Sequence, residues 1–514
     1  MCDKLKFEGI FMKKLCILLA VAILLVGCGK EAAQAPKTAC HTDQNDDGLC
    51  EVCGESMLVT VDIYAINDLH GKLADTDYQP GVDELSTYLK QAQRSGNTVL
   101  LATGDLWQGT AQSALTRGQI ITQWMNDLGF AAMTMGGHEY DWGEEAVREN
   151  RNLAQFPFLA INIYDRETDQ PVDYCQSSLV VEMDGVQIGI IGAIGNCYYA
   201  IAAEHSTGFY FKNGAELTAL VKAEAEKLRS QGVDFIVYAL HDGYDQTTSG
   251  DQVLSVGNKE IGDYYDTTLS QGYVDLVLEA DSHYWYTLQD QQGIYHLQAG
   301  GNNQGISHAT VLINKANSHS QVLTAELLST SAYTHRDADP IVSQLLEQYA
   351  QQIAPGEKVL GMNGQYRNSK AVCQLVADLY CEKGLEKWGA EYDIVLGGGY
   401  MSCRSPSFMA QGQVDYSLLY SLLPFDNRIT LCSIQGRDLI EKFLETDHYA
   451  YYIKLSPYGE QVKQQIDPDA TYYVVTDTYS ANYAKNNMTI IDTYAPDIFA
   501  RDLLAEHIQS GNLE

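Results

Sequence analysis

Five apolar runs in the first 283 residues each close on an aspartate or a histidine. Leu58–Ile66 leads into Asp68 and His70, and Thr98–Thr103 into Asp105. Ala131–Met135 leads into His138, Phe235–Leu240 into His241, and Val274–Leu278 into Asp281 and His283. Short runs rich in Val, Ile and Leu predict strands buried on both faces. In an open α/β sheet the ligand site lies beyond the carboxyl ends of such strands, so these side chains are expected on one rim. Carboxylates and imidazoles gathered in this way hold metal ions.

Helical stretches at Gly81–Ser95 and Ala215–Gln231 separate the runs, and alternating β and α elements predict sheets covered by helices. Pro340–Ile353 carries Ile341, Leu345, Leu346 and Tyr349 along one side and meets Pro355-Gly356, which predicts a single connecting helix. Beyond Lys358 the pattern changes. A helix at Ala371–Lys387, a strand at Tyr392–Leu396, a turn at Gly397-Gly398-Gly399 and strands at Arg428–Ile434 and Thr471–Thr476 predict a smaller α+β domain. The division implied is a leader at 1–27, a tether at 28–57, an α/β domain at 58–335, a linker helix at 336–356 and a C-terminal domain at 357–514.

A chain of 514 residues is long for one core, which agrees with two folded domains. The formal charge of −34 argues against a nucleic-acid polymer as partner, because phosphate backbones are gripped by clustered Lys and Arg. It reads more simply as a solubilising surface, and it leaves room for a small anion held by metal. Near the N-terminus, Lys13-Lys14 precede an apolar run from Leu15 to Val26, with Met12 a more natural start than Met1. This is the make-up of a signal peptide, too short for a comfortable membrane span. Leu25-Val26-Gly27-Cys28 resembles a bacterial lipobox, which would acylate Cys28 and hold the rest of the chain outside the cytoplasm on a lipid anchor.

Of the twelve cysteines, Cys40, Cys50 and Cys53 cluster with His41 in a set that could hold zinc. Asp43, Asn45 and Asp47 before Gly48 also match the start of a calcium loop, whose twelfth position is here Gly54 rather than Glu. A further zinc or calcium site within 40–53 and an unliganded tether both stay open.

Asn67-Asp68-Leu69-His70-Gly71, Gly104-Asp105, Gly137-His138-Glu139-Tyr140-Asp141, His241 and Ser282-His283 together resemble the calcineurin-like metallophosphoesterases. The nearest branch is the secreted two-domain 5′-nucleotidase and cyclic-nucleotide phosphodiesterase family, and the resemblance extends over essentially everything after Leu58. It implies a four-layer α/β metallophosphatase domain joined by a helix to a smaller α+β domain. It implies an enzyme that cleaves phosphate esters of small metabolites, above all nucleotides, with two divalent ions (Mn, Zn or Mg) activating water, and acting as a monomer. Asp68, His70 and His283 would hold one ion, and Asp105 would bridge to the second, which leans also on His241, Asp281 and the position of Gly137. His138 would face the leaving oxygen or the phosphoryl charge, with Asp141 orienting its ring.

Two departures fall on the second ion. The family usually has Asn where this chain has Gly137, and its His-x-His is here Asp281-x-His283. The second site is therefore expected to fill more weakly and to prefer a harder ion such as Mn or Mg. In the C-terminal half, Leu423-Pro424-Phe425-Asp426-Asn427 resembles the family's Pro-Phe-x-Asn segment, and Thr478-Tyr479-Ser480-Ala481-Asn482 resembles the segment giving the opposite aromatic wall. Phe425 and Tyr479 would sandwich a base and Asn427 would line the pocket, with Arg404 the substitute for a displaced phosphate-binding arginine. The family's Gly-Gly-Asp-Gly is replaced by Ala484-Lys485-Asn486-Asn487, so its ribose-binding acid is missing. The alternative is a degenerate surface lipoprotein that captures a nucleotide or similar ligand with little turnover.

Overall fold

A computed structural model of the protein describes residues 42–45, 47–75, 80–195, 201, 205–243, 248–249, 252–253, 273–290, 292–400, 403, 408–444, 451–482, 487–511 and 513. The leader with Cys28, together with Cys40, His41, Arg404 and Lys485, lies outside the described residues. The chain divides into two compact units, residues 1–59 with 314–317, and residues 60–313 with 318–514.

In the first unit the carboxylate of Asp43 accepts from the backbone N–H of Asp47 (3.0 Å) and Gly48 (2.9 Å) and from the Asn314 side chain (2.6 Å). Gly48 adopts φ +78°, which suits the sharp turn there. Among the described residues of 42–53, no group of His, Cys, Asp and Glu brings three ligand atoms together.

A seven-stranded sheet runs in the order His319–Ser329, Gly305–Asn314, Leu58–Ile66, Asn97–Ala102, Ala132–Thr134, Phe158–Leu159, Cys175–Gln176. A six-stranded sheet follows the order Trp285–Gln289, Tyr295–Ala299, Leu276–Leu278, Phe235–His241, Val186–Ile194, Ser178–Met183. Phe235–His241 is buried along its whole length, as a strand covered on both faces should be. The sheets meet where Thr134 Oγ donates to the Ala239 carbonyl (3.2 Å). Gly192 makes that approach feasible, since a Cβ there would sit 2.3 Å from Leu159 Cβ.

Outside the first sheet lie Asp83–Ser95 and Gln119–Leu128, contributing Leu85, Leu89, Trp124 and Met125 to its core. Ala215–Ser230 covers the second with Leu217, Val221, Ala225 and Leu228. The layers thus run helix, sheet, sheet, helix.

The connecting segment is two helices rather than one, Ile341–Gln348 and Ala350–Ile353, because Tyr349 leaves the helical region at φ −95°, ψ 7°. Beyond it, the helix Ser369–Trp388 packs on a five-stranded mixed sheet ordered Tyr451–Leu455, Ile394–Tyr400, Thr471–Asp477, Ile429–Gln435, Thr489–Thr493. The triple glycine forms no turn, since Gly397 to Gly399 continue the strand Ile394–Tyr400. A Cβ on Gly397 would stand 2.5 Å from Cys381 Cα, so glycine here serves close helix–strand contact.

Candidate metal centre

Three of the strands that lead to candidate ligands end in an abrupt left-handed turn, while His241 closes its own strand, Phe235–His241. Asp68 (φ +48°), His70 (+50°), Asp105 (+55°), Asp281 (+67°) and His283 (+57°) all lie in the left-handed region. That region is uncommon for residues with a Cβ, and Asp and His tolerate it better than most. Backbone bonds hold the first two turns together: Asp68 N–H to the Gly104 carbonyl (3.0 Å), His70 N–H to Asp105 (3.1 Å) and Gly71 N–H to Leu106 (2.8 Å). Asn67 adds a side-chain bond to the Asp68 carboxylate (2.7 Å).

The result is two overlapping sets, Asp68–His70–His283 and Asp68–Asp105–His241, each with its ligand atoms within 4.8 Å of one another. His70 Nδ1 lies 3.0 Å from the Gln108 carbonyl and His241 Nδ1 lies 2.6 Å from that of Thr103. A carbonyl only accepts, so each Nδ1 carries its proton and each Nε2 turns inward as a ligand. His70 Nε2 faces His283 Nε2 at 3.0 Å, and His241 Nε2 faces Asp105 Oδ1 at 3.2 Å. Asp68 belongs to both sets, alongside the sharing role the resemblance gives Asp105. Asp281 enters differently: its N–H donates to Asp68, while its carboxylate stands 4.0 Å from His241 Nε2. Gly137 has ordinary right-handed angles, φ −68° and ψ −41°.

The electrostatics ask for cations. Burial disfavours a charge on His241, yet Asp105, Asp68 and Asp281 together hold its pKa well above the usual imidazole value. Burial likewise works against ionised Asp105, and His241, His138 and His70 reverse it, leaving that carboxyl well below the ordinary range. Asp281 is pushed up to about 8 by desolvation and by Asp242, Asp105 and Asp68, with His241 pulling the other way. Crowded carboxylates facing inward imidazole nitrogens, whose proton a divalent ion would displace, fit such ions, with nitrogen and oxygen donors mixed at the first set and oxygen dominant at the second.

His138 stands beside this cluster, its Nε2 3.8 Å from Asp105 Oδ2 and its Nδ1 3.0 Å from Asp141 Oδ2. Its own backbone N–H donates to Asp105 Oδ1 (2.8 Å). Sequence reasoning missed Glu139, whose buried carboxylate accepts from the backbone N–H of Asp105 (2.9 Å), Leu106 (2.8 Å) and Gly136 (2.8 Å). The available signal was an acid locked between His138 and Tyr140 in a short motif. Gly136 belongs to the same packing, for a Cβ there would fall 2.3 Å from Asp105 Oδ1.

From the C-terminal half, the Phe425 ring stacks on His138 at 5.3 Å between centroids and 27° between planes. Asn427 Oδ1 accepts from Thr478 Oγ (3.2 Å), tying the Phe425 turn to the segment that bears Tyr479. Tyr479 is 36% exposed and Phe425 is half-buried, so neither ring is core filling.

No protein-family model matches the chain. It is 24% identical over 487 residues to Protein UshA of Yersinia enterocolitica, an alignment covering 82% of this chain and 85% of that protein. It is 24% identical over 427 residues to Endonuclease YhcR of Bacillus subtilis, covering 74% of this chain and 32% of the relative, so it spans about a third of that protein's length. A solved 5′-nucleotidase precursor from Thermus thermophilus superposes with a TM-score of 0.67 at 17% identity, over 88% of this chain and 96% of that one. Over that extent the fold is that of the solved Thermus thermophilus 5′-nucleotidase precursor.

Proposed function

We propose that this chain, built on the 5′-nucleotidase fold, is a metal-dependent hydrolase of small phosphate esters, with nucleotides its substrates. The observation that carries this reading is the pair of ligand sets meeting at Asp68 beside His138. Divalent ions held by Asp68, His70, Asp105, His241 and His283, with Asp281 alongside, would lower the pKa of water and neutralise phosphoryl oxygens. The chain's own residues do the rest. His138 holds a proton at Nε2, where it can pass to the departing oxygen, and Asp141 keeps the ring turned by accepting at Nδ1. Phe425 and Tyr479 offer flat faces to a base, worth ~1–3 kcal/mol per stacked ring. Arg404 and Asn427 complete the reading as phosphate and pocket contacts.

The site lies outside the cytoplasm in this reading, on a lipid carried by Cys28; among the described residues no helix is long and apolar enough to cross a membrane. Gly137, which offers no ligand atom, favours a second reading in which one ion binds firmly and the protein captures nucleotides with little turnover. A panel of nucleoside monophosphates, cyclic nucleotides and p-nitrophenyl phosphate, with and without Mn, tests both. Mn-dependent release of phosphate from nucleotides is the expected result, and silence across the panel would overturn the enzyme reading.

A further inference from the structure

Arg501 opens the last helix, Ala500–Gln509, where a positive charge opposes the helix dipole, and it is only 5% exposed. Such a placement needs compensation, and the surroundings supply it. One guanidinium nitrogen donates to the carbonyls of Phe425 (3.0 Å) and Pro424 (3.4 Å), and the other donates to the Asp426 carboxylate. The guanidinium plane lies over the rings of Tyr420 (4.5 Å) and Phe499 (4.9 Å). The fork therefore grips three consecutive residues of the turn whose ring stacks on His138. Lysine could not span both carbonyls and the carboxylate from one planar group.

We infer that Arg501 is a positioning residue for substrate selection: by fixing the Pro424–Asp426 turn it sets the Phe425 ring beside His138 and so fixes how far a base sits from the reacting phosphate. This rests on the proposed nucleotide hydrolysis. The geometry gives the arginine no contact with the metal ligands, so its influence travels through Phe425.

The test is a double-mutant cycle on the full-length, Mn-loaded protein, with Arg501→Lys, Phe425→Leu and both together, assayed on AMP and on p-nitrophenyl phosphate, which has no base. Arg501→Lys is expected to lower the kcat/KM ratio of AMP over p-nitrophenyl phosphate roughly tenfold, mostly through KM for AMP. In the Phe425→Leu background the same change should move the ratio little further. Asp426→Asn, which keeps the shape of the turn and removes the ion pair, repeats the cycle should Arg501→Lys fail to fold. An equal loss on both substrates, or effects of the two variants that multiply, overturns the inference while leaving the nucleotidase reading intact. A wild-type protein that cleaves p-nitrophenyl phosphate but no nucleotide sinks the nucleotide reading and this inference with it.

Discussion

The backbone N–H of Asp281 donates to both carboxylate oxygens of Asp68, at 3.2 and 3.0 Å, across 213 residues of sequence. The bond clasps two turns of the same design, Asp68-Leu69-His70 and Asp281-Ser282-His283, whose Asp and His residues all take left-handed angles. One turn ends a strand of the seven-stranded sheet and the other a strand of the six-stranded sheet. The two halves of the domain are thus joined at a cluster of like charges.

Chelation should therefore weaken the fold. An ion present at about a hundred times its Kd stabilises by about 2.7 kcal/mol, equivalent to a fall of several degrees in Tm when it is removed. EDTA followed by Mn, read by differential scanning calorimetry, should lower and then restore the transition. A melt indifferent to both would count against a bound ion.

Gly137→Asn should strengthen the second ion. The φ of −68° suits any residue, so the change adds a ligand atom without backbone strain. Native mass spectrometry and calorimetric titration with Mn should show a second equivalent bound roughly tenfold more tightly than in wild type. Unchanged stoichiometry and affinity would mean that position 137 does not face the ion.

His138→Ala should cost roughly 10²–10⁴ in kcat, the span of general acid catalysis, with both ions still bound. Asp141→Asn should fall between that variant and wild type, because the ring keeps its place but loses the anion behind Nδ1. Loss of metal in the His138 variant would assign that residue to the ligand set instead.

Glu139→Gln replaces an acceptor of three backbone bonds with a group that can accept at only one atom. Asp105 and the Gly136 turn should loosen, lowering metal affinity by about 10–100-fold, as is typical when a ligand loses its support. Equilibrium dialysis with Mn is the direct measurement.

His296 supplies a pH dependence of stability. It is buried, 3.1 Å from Glu279 and 3.4 Å from Asp290. Burial pushes its pKa down, but the two carboxylates outweigh that and raise it from 6.5 to about 9. A folded-state pKa above the unfolded one means that the protonated form stabilises. The contribution, on the order of 3 kcal/mol, is complete below pH 6.5 and disappears as pH rises through about 9. Denaturant titrations of wild type and His296→Gln at pH 6 and pH 10 should show the gap between them closing at the higher pH, and a constant gap would refute this.

Much of this architecture is legible in the chain because strands covered on both faces leave an unbroken apolar signature. The apolar run Phe235–Leu240 is delimited by composition alone and falls in the observed, fully buried strand Phe235–His241. Turns and glycines are less legible. Gly397 looks like a breaker until Cys381 is seen against it, and the break at Tyr349 has no local signal beside an otherwise continuous apolar stripe. The left-handed angles of the ligands could not be foreseen, since they follow from contacts such as the bond between Asp281 and Asp68. Glu139 escaped notice because its three partners are backbone amides, which no residue type announces.

Since the set Asp68–His70–His283 draws its last member from the turn Asp281-Ser282-His283, a chain released by the ribosome before residue 283 lacks one complete cage, however well its first strands have paired.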